Sequence, residues 1–273
     1  MNSIRLAAIA SLLPSMLAAQ SPATPPPAYG VMFTFERFAD LFGDRLVSAF
    51  DSIPASRYDY RPTPVQQSIG YIAQHLEGAN YALCDRFSDA KHPRTAKDSL
   101  ADTIKAKWPK DTLVARLRAS LRFCDTALER AGLLQSPVLA NNLLLFETDL
   151  AEHYSQLSTY MRMLGMVPPS ALPPIKRSAI DLPASLLSPY IGVYRVAPGL
   201  NLYVTMQNGQ LFIRSTGGET VRLWPESSTH FFVNEVDAQL TFTRDATGTV
   251  TGLVWHQFGR DRAALKVQSP TRP

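Results

Sequence analysis

The sequence predicts an α+β chain in two separate domains, an N-terminal up-down four-helix bundle and a C-terminal antiparallel β-barrel or sandwich of about eight strands. Three observations predict it. Apolar residues recur at helical spacing up to residue 169 and alternate with a period of two from residue 186 onward. A proline- and serine-rich join, residues 170–185, separates the two patterns. The chain of 273 residues, 45% apolar and 18% charged, is long enough for two cores and too apolar for wholesale disorder.

Taken in order, residues 1–19 read as a secretory leader. Arg5 supplies the positive end, residues 6–17 a short apolar stretch broken by Pro14, and Ala18 and Ala19 a cleavage-like end. The stretch is short for a bilayer span, so the expected product is exported, periplasmic or secreted, with no integral membrane segment after leader removal. Residues 20–32 follow as a spacer stiffened by Pro25, Pro26 and Pro27.

The bundle is expected over residues 33–169. Its first helix, 33–52, carries Phe35, Phe38, Leu41, Phe42, Leu46 and Phe50. The second, 64–87, has Ile69, Ile72, Leu76, Ala79 and Leu83 on one face, with Ser68 able to cap an inner start. A polar connection over 88–110, broken by Pro93 and Pro109, has room for a short helix. Asp111 opens the third helix, striped by Leu113, Leu117, Leu121 and Ala127 and ended by Gly132. Ser136 and Pro137 open the fourth, which runs to Leu164 and stops at Gly165.

The β-domain is expected over residues 186–268. Strands are read at 190–196, 202–206, 210–214, 219–224, 230–234, 239–244, 250–257 and 263–267. Asn208-Gly209 between two of them is a hairpin signal, and Gly217-Gly218 and Thr247-Gly248 mark further turns.

Charge narrows the function. There are 27 Lys and Arg against 23 Asp and Glu, a formal net charge of +4, with no run of five like charges and no basic stripe interleaved with aromatics. Nucleic acid is therefore not an expected partner. A small molecule of unidentified structure is, and the oligomeric state, a dimer included, is open. Cys84 and Cys124 are the two cysteines, on helices expected to be antiparallel neighbours. Export permits a disulfide between them; two buried thiols acting as small apolar residues are the alternative.

The chemistry-bearing constellation is on the fourth helix. Phe146, Leu150, His153, Leu157, Tyr160 and Leu164 form one stripe, which puts His153 on the inward seam with Asp149 beside it, one turn earlier. His75 flanks the stripe of the second helix. Brought together, two imidazoles and a carboxylate form a ligand set for Zn²⁺ or another divalent ion. A hydrogen-bonded core histidine with an aspartate fixing its tautomer is the plainer reading of the same spacing.

Several ordered pieces resemble the DinB/YfiT-like helical-bundle family over residues 33–169. They are Tyr60-Arg61-Pro62-Thr63-Pro64, then Ser68 and His75, then Glu152-His153-Tyr154-Ser155-Gln156-Leu157 with Tyr160-Met161-Arg162 and Gly165-Met166-Val167-Pro168-Pro169. The resemblance implies a metal site at His75, Asp149 and His153 for a divalent ion (Zn, Ni or Mn), with Tyr154 and Gln156 as candidates to support it. Asp149 stands where the family usually has a histidine, and Ser155 where it has a glycine. The family includes thiol-dependent transferases and isomerases.

A second resemblance joins Ser188-Pro189-Tyr190-Ile191-Gly192-Val193-Tyr194 with Leu202-Tyr203-Val204-Thr205 and Asn208-Gly209-Gln210-Leu211. These are similar to a β-domain of unknown function appended to secreted class C β-lactamase-like serine hydrolases. Ser88-Asp89-Ala90-Lys91 fits Ser-x-x-Lys but has no Tyr-x-Asn or Lys-Thr-Gly partner, and there is no Gly-x-Ser-x-Gly. His230 and His256 fall in strands without an evident Ser or Cys partner. The expected function is thus a metal-dependent hydrolase or thiol-dependent transferase, against a non-catalytic periplasmic binding or scaffold protein with a degenerate metal site.

Overall fold

The computed structural model describes residues 29–87, 89, 91–92, 95–131, 137–173, 175–197 and 199–267. The leader, residues 20–28 of the spacer, Ser88 and Ala90 of the Ser-x-x-Lys match, Pro93, Gly132 and Ser136 lie outside them.

Four long helices form the first domain: α1 (Tyr29–Ser52), α2 (Ile69–Cys84), α4 (Lys110–Arg130) and α5 (Pro137–Met163). A one-turn helix, α3 (Asp102–Lys105), lies in the polar connection and packs on α2. The helix α1 begins before residue 33 because the apolar period runs back past it, and Met32, read as spacer, is buried in the core. The helix α2 begins at the inner start, where the Ser68 hydroxyl accepts the Tyr71 N–H at 3.2 Å. Gly70 admits the next contact: a Cβ there would stand 2.3 Å from the Ala106 carbonyl oxygen.

Around the bundle the order is α1–α5–α2–α4, so α1 faces α2, and α4 faces α5, across a diagonal. Leu46, Phe50, Ile72, Leu76, Leu117 and Leu150 are fully buried in its core. Each such side chain contributes about 1.5–3 kcal/mol on burial. Cys84 at the end of α2 is disulfide-bonded to Cys124 of α4, with Cα atoms 5.2 Å apart.

The second domain is a closed barrel of β1 (Gly192–Ala197), β2 (Leu200–Gln207), β3 (Gln210–Ser215), β4 (Thr220–Pro225), β5 (His230–Val233), β6 (Ala238–Arg244), β7 (Val250–Gln257) and β8 (Arg260–Val267). Every neighbouring pair is antiparallel, and β1 closes on β8 through Val193↔Val267, Tyr194↔Lys266 and Arg195↔Leu265. Closure leaves no edge to protect. Asn208 (φ 50°) and Gly209 (φ 76°) make the β2–β3 turn, the left-handed pair that a two-residue hairpin requires. A separate cluster including Tyr194, Leu202, Leu211, Phe231 and Phe242 fills the barrel.

The join is less free than its composition suggests. The Ile180 N–H donates to the Pro225 carbonyl at 2.8 Å, Arg177 pairs with Glu226 at 3.1 Å, and a short helix α6 (Ala184–Leu187) buries Leu187 in the barrel core. The helix α1 and the β7–β8 hairpin then tie the domains together. Asp40 pairs with Arg262 and, at 3.5 Å, with Arg260; Arg260 also reaches Asp125 of α4. Phe33 packs on Trp255, ring centroids 5.9 Å apart. No helix among the described residues is long and apolar enough to cross a membrane.

Candidate metal centre

Packing of α2 against α5 brings His75, Asp149 and His153 together. One ligand atom from each lies within 4.8 Å of the others. Asp149 Oδ1 is 3.7 Å from His75 Nε2 and 3.4 Å from His153 Nδ1. The two imidazole centroids are 4.8 Å apart. Side-chain exposure grades across the group, from 14% at His153 through 21% at Asp149 to 36% at His75, so one side is closed and the other faces solvent.

Three details suit the group to a cation. The first is that Asp149 Oδ2 is buried with no hydrogen-bond partner, an uncommon and costly state for a carboxylate oxygen. The second is that His153 Nδ1 lies 2.8 Å from the Asp149 backbone oxygen. That contact assigns the ring proton to Nδ1 and leaves Nε2 as a free lone pair, the usual arrangement of a ligating histidine. The third is the surroundings of His75. Asp149 foremost, and Asp102 more weakly, favour its protonated form and raise its pKa above the ordinary value despite burial. The same acidic surroundings would favour a metal ion, which would have to displace that proton. Donors on one zinc ion, bonded at about 2.0–2.2 Å, would lie at most about 4.4 Å apart, so a side chain would have to close slightly inward to hold one.

Other residues at the site carried no sequence signal. Tyr71, one turn before His75, stacks nearly parallel on its ring at 6.4 Å. Asp102, held to Lys105 at 2.9 Å, comes from α3, where only the tertiary fold places it near His75. Tyr154 and Gln156 turn away instead. The Tyr154 hydroxyl accepts the Ser170 N–H at 2.8 Å, and Gln156 donates to the Tyr160 hydroxyl at 3.0 Å, which donates to the Gln67 carbonyl at 3.2 Å. Among the described residues neither hydrogen-bonds to the three candidate ligands. One residue past His153 is about 100° round the helix, which points Tyr154 at Phe42 of α1 rather than at α2.

The remaining histidines do have partners. His92 pairs with Asp85 at 2.9 Å, His230 Nδ1 lies 3.1 Å from the Ser227 hydroxyl, and His256 bridges Asp261 at 2.6 Å and Thr241 at 2.9 Å. The partners of His230 and His256 come from adjoining strands and turns, which the single-strand pattern does not reveal.

Residues 40–153 match the DinB superfamily. This is a metal-binding helical fold, and the matched segment contains all three candidate ligands. Residues 176–269 match a domain of unknown function, DUF3471. No curated protein matches the chain. Among solved structures, the crystal structure of SurE with D-Leu is 23% identical over 43% of this chain and 28% of that one, with a TM-score of 0.29. The crystal structure of SurE is 21% identical over 43% and 27%, with a TM-score of 0.30. The chain thus spans less than a third of the length of either.

Proposed function

We propose that this is an exported protein whose helical domain holds a divalent metal ion, Zn, Ni or Mn, on His75, Asp149 and His153, and acts as a metal-dependent hydrolase. The convergence of those three side chains, with the second Asp149 carboxylate oxygen buried and partnerless beside them, carries the reading. An ion held there would supply Lewis acidity, lowering the pKa of water or of a thiol towards neutrality. The protein does the rest. Asp149 contributes the negative charge, the Asp149 backbone oxygen orients His153 through Nδ1, and Tyr71 braces the His75 ring. The open side at His75 leaves a path for substrate.

The leader at residues 1–19 and the Cys84–Cys124 disulfide support export, because such bonds persist in oxidising compartments. That setting favours hydrolysis over the thiol-dependent transfer that the family resemblance implies, since a reduced thiol co-substrate is harder to supply there. A second reading, a binding or scaffold protein with a degenerate site, is favoured by one observation: a carboxylate at 149 in place of the family's histidine. Elemental mass spectrometry of the mature protein separates them. Near-stoichiometric metal, lost in both His75→Ala and His153→Ala, is expected. Absence of metal even after supplementation overturns the first reading in favour of the second.

A further inference from the structure

The barrel contains a cavity of about 160 Å³ at the end covered by α1. Leu202, Ile213, Val221, Leu240 and Trp255 supply apolar wall. Into this cavity α1 contributes Arg37. Arg37 Nε is buried with no hydrogen-bond partner, and the side chain makes no ion pair among the described residues. The nearby acid is already committed, as Asp40 is taken by Arg260 and Arg262. Glu219 lines the cavity from the exposed β3–β4 turn and is not ion-paired to Arg37.

Two features of the β7–β8 turn stand beside the guanidinium. Phe258 lies beside it, the Arg37 Cζ 6.0 Å from the ring centroid. Phe258 also has φ 52°, a left-handed conformation that costs a bulky residue about 1–2 kcal/mol. The β7–β8 turn therefore carries strain at the point where its ring meets Arg37. Burial foremost, and then the neighbouring Arg262, disfavour the charged form of Arg37, and Asp40 opposes them only in part. A bound anion would relieve both effects.

Size and polarity define the occupant. An apolar cavity of about 150 Å³ accommodates benzene. A guanidinium at its mouth pairs with a carboxylate through two parallel hydrogen bonds. Gln257, buried and also lining the cavity, adds an amide. We infer that the barrel binds a small monocarboxylate with a single aromatic ring or a branched aliphatic body, the body in the cavity and the carboxylate on Arg37. This assigns the β-domain a ligand of its own, independent of the metal centre.

Titration calorimetry on the full chain tests it, with benzoate and phenylacetate as probes and benzyl alcohol as the uncharged control. The carboxylates are expected to bind one to one and at least tenfold tighter than the alcohol. Arg37→Met should erase that preference, and Val221→Trp, which fills the cavity, should abolish binding of all three; circular dichroism checks that each variant is folded. His153→Ala should leave binding unchanged, which excludes carboxylate ligation at the metal centre. Failure of wild-type protein to bind either carboxylate at millimolar concentration overturns the inference. So does affinity that survives both cavity variants, or affinity lost in His153→Ala.

Discussion

Asp149 places one carboxylate oxygen between His75 and His153 and leaves the other buried without a partner. A residue in that position is costly unless something positive meets it. Its substitution is therefore informative in two directions. Asp149→Ala is expected to weaken metal retention at least about tenfold, since the proposed carboxylate ligand is removed. Asp149→His, which restores the imidazole of the DinB-like pattern, should shift preference from manganese towards zinc, as nitrogen donors suit the softer ion. Chelator competition on each variant loaded with either metal checks both. Zinc preference unchanged by Asp149→His would mean that residue 149 is not a ligand. His75 and His153 were legible as candidates because each flanks or joins an apolar stripe. Their mutual approach was not, because no local pattern specifies which helix face meets which.

At the scale of elements, the disulfide fixes α2 to α4 across 40 residues of chain that include the polar connection and α3. Loop-closure entropy for a loop of that size is worth about 4 kcal/mol. Cys84→Ser with Cys124→Ser is expected to lose about 2–4 kcal/mol of stability to urea, and reduction of the wild type should match it. An unchanged urea midpoint would show that the bond adds nothing to the bundle. In the barrel, Gly209 sits at φ 76° in the β2–β3 turn. Gly209→Ala should cost about 1–2 kcal/mol, because a Cβ is disfavoured in the left-handed region. The β2–β3 register, pinned by that turn and by Leu202↔Ser215 to Gln207↔Gln210, should survive. Thermal unfolding gives the first quantity and amide exchange of β2 and β3 the second.

At the scale of the whole molecule, the domains meet through a cluster of acids on α1 and α4 and arginines on β8. Asp125 within it is pushed up to about 6, chiefly by burial, with Asp40 and Glu129 adding to the effect and Arg260 opposing it. A carboxyl whose folded pKa exceeds its unfolded one binds its proton more tightly when folded. The resulting stabilisation is complete below about pH 4 and is lost as pH rises through 6. Each pKa unit corresponds to about 1.4 kcal/mol. Asp125→Asn, which cannot ionise, should therefore gain on the wild type by roughly 2–3 kcal/mol between pH 4 and pH 7. Urea midpoints of both proteins at the two pH values measure it, and a constant difference would place Asp125 in an ordinary solvated setting.

The sequence by itself determined the two-domain layout, the four long helices and all eight strands, because helical and alternating periodicities are local records of which face is buried. It also marked Ser68 as a cap and Asn208-Gly209 as a turn, since both act over two or three residues. Only the tertiary structure decided the rest. It set the diagonal order of helices, the closure of β1 on β8, and the approach of His75 to Asp149 and His153. It also sent Tyr154 and Gln156 to other partners and placed Arg37 of α1 in the barrel cavity. These features join residues far apart in the chain, and apolar faces attract without direction. A stripe records that it will be covered; the shape of the assembled core selects what covers it.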